Sequence, residues 1–190
     1  MNRAVFLDRD GVLNANIVRN GKPYAPRSLA EFKLLPGVEE AVRRLKDAGF
    51  LTIVTTNQPD VATGLTQRST VDAIHDELRR RMPLDEIKIC WHVDSDHCAC
   101  RKPEPGMLLE AAVAHDIDLR SSYMVGDRWR DVLAGQAAGC TTLLVDHGLV
   151  QERSAQADKI VLSLPEAVAY ILARENLGDF ARDEPERRRP

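Results

Sequence analysis

Two aspartates separated by one residue, Asp8 and Asp10, close an apolar run in Phe6-Leu7-Asp8-Arg9-Asp10-Gly11-Val12-Leu13-Asn14. A strand-to-loop junction at the carboxyl edge of a parallel sheet is where ligands of open α/β folds sit, and it would hold both carboxylates at fixed separation. Asp-Arg-Asp-Gly is therefore the leading catalytic candidate. Three later segments end in residues of complementary chemistry: Val54-Thr55-Thr56-Asn57-Gln58, Arg101-Lys102-Pro103 and Val125-Gly126-Asp127-Arg128. Together they add a hydroxyl, a cation and a further carboxylate. Phosphoryl transfer from a monoester demands such a set: a nucleophile, a divalent metal, a cation, hydrogen-bond donors and a proton carrier. A carboxylate attacks a dianionic phosphate poorly until a metal and a lysine cancel the repulsion, which gives Lys102 its purpose.

A second cluster carries metal chemistry. Cys90-Trp91-His92, followed after five residues by Cys98-Ala99-Cys100, supplies three thiols and an imidazole within eleven residues. Cys90, His92, Cys98 and Cys100 suit structural zinc bound tetrahedrally, with no open position for water. His97 is the rival fourth ligand, but Cys-x-His mirrors Cys-x-Cys and favours His92. Because the cluster abuts Arg101 and Lys102, zinc there would stiffen the loop that delivers the lysine. The fourth cysteine, Cys140, reads as a small buried hydrophobe.

Positioning these groups requires strands whose ends face one way. Apolar runs Ala4 to Leu7, Leu51 to Val54, Ile87 to Trp91, Tyr123 to Val125 and Thr142 to Val145 are short and bounded by Gly, Asp or Asn, as strands buried on both faces are. Between them, Val38, Ala41, Val42, Leu45 and Ala48, then Val71, Ile74, Leu78 and Met82, then Leu108, Ala111 and Ala112 repeat with helical spacing. A further helix passes through Val132, Leu133 and Ala137, and a last unit joins a strand Lys159 to Leu162 to a helix Pro165 to Ala173. Alternation of this kind predicts a doubly wound α/β three-layer sandwich around a mostly parallel sheet. Asp8, Asp10, Thr56, Lys102 and Asp127 then converge on one crevice although they span about two thirds of the sequence. About fifty residues separate Asp8 from Thr56, and a helix fills much of that interval, so no separate cap domain is expected. Residues 1–174 should form one domain, and the charged stretch 175–190 a disordered tail.

These motifs, FLDRDGVLN, the Thr-Asn of TTNQ, the Lys of CRKP and the Asp of VGDRWRD, resemble the four motifs of the haloacid dehalogenase (HAD) superfamily, and the resemblance runs nearly to Leu172. It implies that Asp8 attacks phosphorus to form an aspartyl phosphate, and that Asp10 protonates the leaving alkoxide and later activates water. Thr56 would donate its hydroxyl to the phosphoryl group, and Lys102 would balance its charge. Asp8, Asp127 and the main-chain carbonyl of Asp10 would hold Mg²⁺. Asn57, Arg101 and Arg128 are the implied substrate contacts, and Asp131, one helical turn beyond Asp127, is at best a supporting group. To start as an acid near neutral pH Asp10 needs a raised pKa, for which the charge of Asp8 is the expected source. The zinc loop, KPEPGMLL and SSYMVGDR are similar to the branch holding heptose 1,7-bisphosphate 7-phosphatases and histidinol-phosphate phosphatases, the last two matches favouring the heptose side. That implies removal of the 7-phosphate of D-glycero-D-manno-heptose 1,7-bisphosphate, with histidinol phosphate as the alternative. The segment Pro59-Asp60-Val61-Ala62-Thr63-Gly64 departs from the branch, lacking a basic side chain at Thr63.

Bulk properties narrow the partners. A net charge of -3 and 5% aromatic residues offer neither attraction for polyanions nor stacking platforms for bases, so nucleic acid is not expected. With no apolar run of membrane length and no leader-like amino end, a cytoplasmic monomer acting on a small phosphorylated metabolite is the expectation. A phosphoaspartate signalling module or a zinc-stabilised binding domain is the reading from another class. Asp10 argues against the former, because a carboxylate able to discharge an acyl phosphate works against a lasting signal.

Overall fold

In the computed structural model, residues 1–19, 21–148 and 155–182 are described. Six strands, β1 (Ala4–Leu7), β4 (Leu51–Asn57), β5 (Glu86–Cys90), β6 (Tyr123–Gly126), β7 (Thr141–Val145) and β8 (Lys159–Val161), form one sheet in the order β5-β4-β1-β6-β7-β8. Every pairing in it is parallel. Helices α1 (Val38–Asp47), α2 (Arg68–Arg81), α3 (Gly106–His115), α4 (Trp129–Ala138) and α5 (Leu164–Arg182) cover both faces.

The continuous apolar strands follow from that double cover, because successive side chains of a strand point to opposite faces. In β1, Val5 and Leu7 join α1, α5 and the Leu78 end of α2 in one core, whereas Ala4 and Phe6 pack with Met107, Leu108 and Ala111 of α3 in the other. Burial of such side chains stabilises each layer by about 1.5–3 kcal/mol per large residue.

Three features lie beyond the predicted elements. A two-stranded antiparallel hairpin, β2 (Ile17–Arg19) and β3 (Lys22–Tyr24), follows the first strand. Its strands are three residues long and one contains Pro23, so no period-2 pattern marks them. The β4 strand runs past Val54 to Asn57, which carries Thr56 within the strand itself. Helix α5 continues through Arg182, past the boundary expected at residue 175; Tyr123 donates to Glu175 at 2.6 Å and Arg3 pairs with the same carboxylate, tying the helix to the sheet. Residues 183–190 of the expected tail lie outside the described residues.

Candidate active site

Strand order explains why distant residues meet. β1 lies between β4 and β6, and the chain leaves β1 toward β4 but later returns to β6 on the other side, so a crevice opens at the carboxyl ends where the winding reverses. Asp8 follows β1 directly, its amide bonded to Val125 O of β6 at 2.9 Å. Beyond it the chain turns at once, with the amides of Leu13 and Asn14 both donating to Arg9 O. Gly11 takes a φ of 85°, and a Cβ there would overlap the Asp127 carboxylate, so only glycine admits this turn. Gly126, at the end of β6, similarly leaves the space that the Asp131 side chain fills.

Lys102 is the centre of the charge arrangement. Only 2% exposed, its ammonium lies 2.7 Å from Asp8 Oδ1, 2.5 Å from Asp131 Oδ1 and 2.7 Å from Thr55 O, one acceptor for each N–H. Burial alone would lower the lysine pKa, but the charges of Asp131 and Asp8 outweigh it and raise it above the ordinary value. Burial lifts Asp8 to about 6 against the pull of Lys102, with Asp131 and Asp10 adding to the rise. Asp127, 6% exposed, is raised well above the usual carboxylate range by burial and then by the charges of Asp8 and Asp131.

Asp8, Asp127 and Asp131 bring carboxylate oxygens within 4.8 Å of one another. Three buried carboxylates share the ammonium of Lys102, which pairs with Asp8 and Asp131, and the partly exposed Arg128 guanidinium, 3.7 Å from Asp127; negative charge remains in excess, which Asp8 and Asp127 show as raised pKa values. Hard oxygen donors in that state fit a divalent cation of the Mg²⁺ type, whose charge would relieve the repulsion. The third side chain of this cluster is Asp131, not Asp10, and Asp131 also holds the lysine and accepts from the Arg128 amide at 3.0 Å. An acidic residue one helical turn after Asp127 was the available signal.

The Asp10 carboxylate faces a different set. Arg9, fully buried, reaches it through Nε and Nη2 at 2.9–3.2 Å, Asn14 donates at 2.9 Å and Gln58 at 2.8 Å. Burial works to raise its pKa, but the Arg9 charge and the Asn14, Arg9 and Gln58 hydrogen bonds prevail and hold it below the ordinary value. The expected elevation by Asp8 is therefore corrected: Asp10 is ionised in the free, metal-free protein, because its immediate neighbour in sequence is a buried guanidinium.

Thr56 lies 1% exposed beside them, its hydroxyl accepting from Gln58 at 2.8 Å. Asn57 borders the crevice, but its amide is committed to the Lys102 backbone in both directions, at 3.0 and 3.1 Å. It holds the lysine loop where a substrate contact was expected. The crevice, about 240 Å³, is also lined by Arg101, Arg128 and Arg130 and by Pro23 and Tyr24 of the hairpin region. Arg128 donates to Pro23 O at 3.1 Å, fastening that wall. Asp94 receives Arg101 at 2.6 Å and Arg130 at 3.0–3.1 Å. Arg130 stands inside the VGDRWRD stretch but was not among the expected contacts; the start of α4 brings it to the crevice.

Beside the crevice, Cys90, His92, Cys98 and Cys100 gather as expected. Their sulfur–sulfur separations are 3.2–3.7 Å and the His92 Nδ1–sulfur separations 3.4–3.6 Å. A tetrahedral zinc site with Zn–S bonds of about 2.3 Å has edges of about 3.8 Å, so the four donors already stand close to the required figure. His97 is outside this group. Burial pushes the Cys90 thiol up to about 12, a proton that bound zinc would displace.

A parallel sheet that delivers two aspartates from β1, a buried lysine from the loop after β5 and further aspartates from β6 and α4 defines the HAD-like class of α/β folds. The HAD-hydrolase-like family model matches residues 99–172. The chain is 38% identical over 159 residues to D-glycero-beta-D-manno-heptose-1,7-bisphosphate 7-phosphatase of Bordetella bronchiseptica, covering 81% of this chain and 86% of that protein. It is 36% identical to the enzyme so named from Yersinia pestis, over 90% and 96% of the two chains. The crystal structure of the B. bronchiseptica D,D-heptose 1,7-bisphosphate phosphatase complexed with magnesium and phosphate superposes with a TM-score of 0.77 at 33% identity, covering 90% of this chain and 99% of that one. On these relatives the chain belongs to the HAD-like hydrolase family.

Proposed function

We propose that this protein is a Mg²⁺-dependent phosphomonoesterase that removes the 7-phosphate of D-glycero-D-manno-heptose 1,7-bisphosphate by way of a phosphorylated Asp8. The observation that carries the reading is the buried ion pair of Lys102 with Asp8, 94 residues apart in the chain, at the mouth of a crevice that Asp10 shares. Similarity to the two named heptose phosphatases supports the substrate. So does the presence of three arginines around the crevice, more cationic surface than one transferring phosphoryl group requires.

Asp8, Asp127 and the Asp10 carbonyl, with Asp131 beside them, would hold Mg²⁺, which when bound would neutralise charge on the transferring phosphoryl group. Lys102 keeps Asp8 oriented and adds positive charge where the phosphate oxygens arrive. A carboxylate oxygen of Asp8 forms the new P–O bond as the bond to the sugar oxygen breaks, and that oxygen leaves with a proton from Asp10. Asp10 then takes a proton from water as the water oxygen attacks phosphorus, the Asp8–phosphorus bond breaks, and inorganic phosphate departs. An arriving phosphoryl group brings negative charge beside Asp10 and raises its pKa against the pull of Arg9, which loads the proton only when substrate is present. Thr56 and Arg101 contact phosphate oxygens, Arg128 closes the hairpin wall, and Asn57 fixes the lysine loop.

Zinc on the Cys₃His cluster would be structural, since its four donors leave no position for water. No disulfide joins the four cysteines, in keeping with a reducing cytoplasmic setting, and no helix among the described residues is long and apolar enough to cross a membrane. The working unit is a monomer. Relative kcat/KM values for heptose bisphosphate, histidinol phosphate and an aryl phosphate with Mg²⁺ test the substrate. Preference for the heptose compound is expected, and a preference for histidinol phosphate overturns the assignment.

A further inference from the structure

His75 interrupts the apolar stripe of α2. It sits among Val71, Ile74 and Leu78 on the buried face and is 1% exposed, a costly place for an imidazole without a partner. Its Nε2 lies 3.1 Å from Nη1 of Arg9, the fully buried guanidinium whose Nε and Nη2 grip the Asp10 carboxylate. Arginine has five N–H donors and no acceptor, so Nε2 must receive this hydrogen bond through its lone pair. That fixes the neutral tautomer with the proton on Nδ1, an atom that is buried and has no protein partner. Burial and the Arg9 charge also drive the imidazole pKa down to about 3.

We propose that His75 is a positioning residue for proton transfer: as an obligate acceptor it locks the Arg9 rotamer, and Arg9 in turn orients the Asp10 carboxylate toward the leaving oxygen. The geometry leaves Arg9 few alternatives. Two nitrogens of its guanidinium, Nε and Nη2, are spent on Asp10 and the third, Nη1, on His75, while Asn14 and Gln58 hold Asp10 from other directions. Without His75, Nη1 would be a buried charged donor lacking an acceptor, and Arg9 would have to turn to find one. Helix α2 contributes no group to the crevice lining, so this contact is how it reaches the chemistry.

The inference rests on Asp10 being the proton carrier, and leaving-group dependence separates the two ideas. An alkyl phosphate such as a sugar phosphate needs its leaving oxygen protonated, whereas 4-nitrophenyl phosphate needs this little, and kcat/KM reports the first chemical step for both. For His75→Leu we expect kcat/KM on the sugar phosphate to fall about tenfold to a hundredfold, part of the range general acid catalysis supplies, with loss on the aryl phosphate within about threefold. For His75→Gln, whose side-chain oxygen can accept from Arg9, the sugar phosphate activity should return to within about threefold of wild type. Equal loss on both substrates, or no loss on either, overturns the proposal. If the Leu variant does not fold, His75→Asn, too short to reach Arg9, must show the same selective loss relative to Gln, and failure to do so is equally decisive. A wild-type protein that hydrolyses neither ester would instead remove the phosphatase reading itself.

Discussion

Replacing Asp8 by Asn should stabilise the metal-free protein while abolishing its chemistry. Burial carries the Asp8 pKa from 3.8 to about 6, so the folded state binds a proton that the unfolded chain releases between those values. Stability therefore falls as pH rises across that window, and the full cost is in place above about pH 6. It amounts to about 3 kcal/mol at pH 7.5 and to roughly half of that at pH 5. The introduced amide carries no charge to desolvate, and its carbonyl can still accept from Lys102. In EDTA at pH 7.5 the variant should melt about 6–12 °C above wild type, given roughly 2–4 °C per kcal/mol for a chain of this size. The gap should be about half as large at pH 5. Saturating Mg²⁺ should narrow or reverse it, because the metal stabilises wild type by about 2.7 kcal/mol at a hundredfold excess over Kd and an amide is a poorer ligand than a carboxylate. Differential scanning fluorimetry at two pH values, with EDTA or Mg²⁺, suffices. A variant no more stable than wild type in EDTA at pH 7.5, or a gap that does not shrink at pH 5, refutes the reasoning.

Lys102→Met removes the cation opposing burial of Asp8, so the carboxyl should hold its proton at neutral pH; kcat should fall about a thousandfold or more in steady-state assays, and a fall under about tenfold contradicts the charge argument. Asn57→Ala frees the lysine loop without touching the phosphate, so kcat should drop about tenfold with KM little changed, whereas a rise in KM alone would return Asn57 to substrate contact. Elemental analysis should find about one zinc per chain, and Cys98→Ser should lose it along with several degrees of Tm; wild-type protein purified without zinc yet equally stable removes the structural-metal claim.

The sheet and its helices were readable because a strand covered on both faces must be apolar throughout: Ala4 to Leu7 could be nothing else once followed by Asp-Arg-Asp. Convergence of Asp8, Thr56, Lys102 and Asp127 followed from parallel topology. What escaped is local and three-dimensional. The β2–β3 hairpin is too short and too polar to show a period, and Arg130 reaches the crevice only because α4 begins beside it. Asp131 carried its acidic type in plain view, but its pairing with Lys102 depends on a glycine, Gly126, that makes room for it. The acidity of Asp10 escaped because sequence does not show that Arg9 is completely buried against that carboxylate. His75 offered one clue, a polar side chain on the apolar face of α2.

The central claim is a covalent phosphoryl group on Asp8, and it is best tested in Asp10→Asn, which lacks the base for the second step. Mixed with Mg²⁺ and 4-nitrophenyl phosphate and quenched in acid, this variant should release close to one equivalent of nitrophenol in a burst. Peptide mass spectrometry should then find the phosphoryl group on Asp8. Continued turnover with no phosphorylated peptide, or phosphate on any other side chain, would contradict the account.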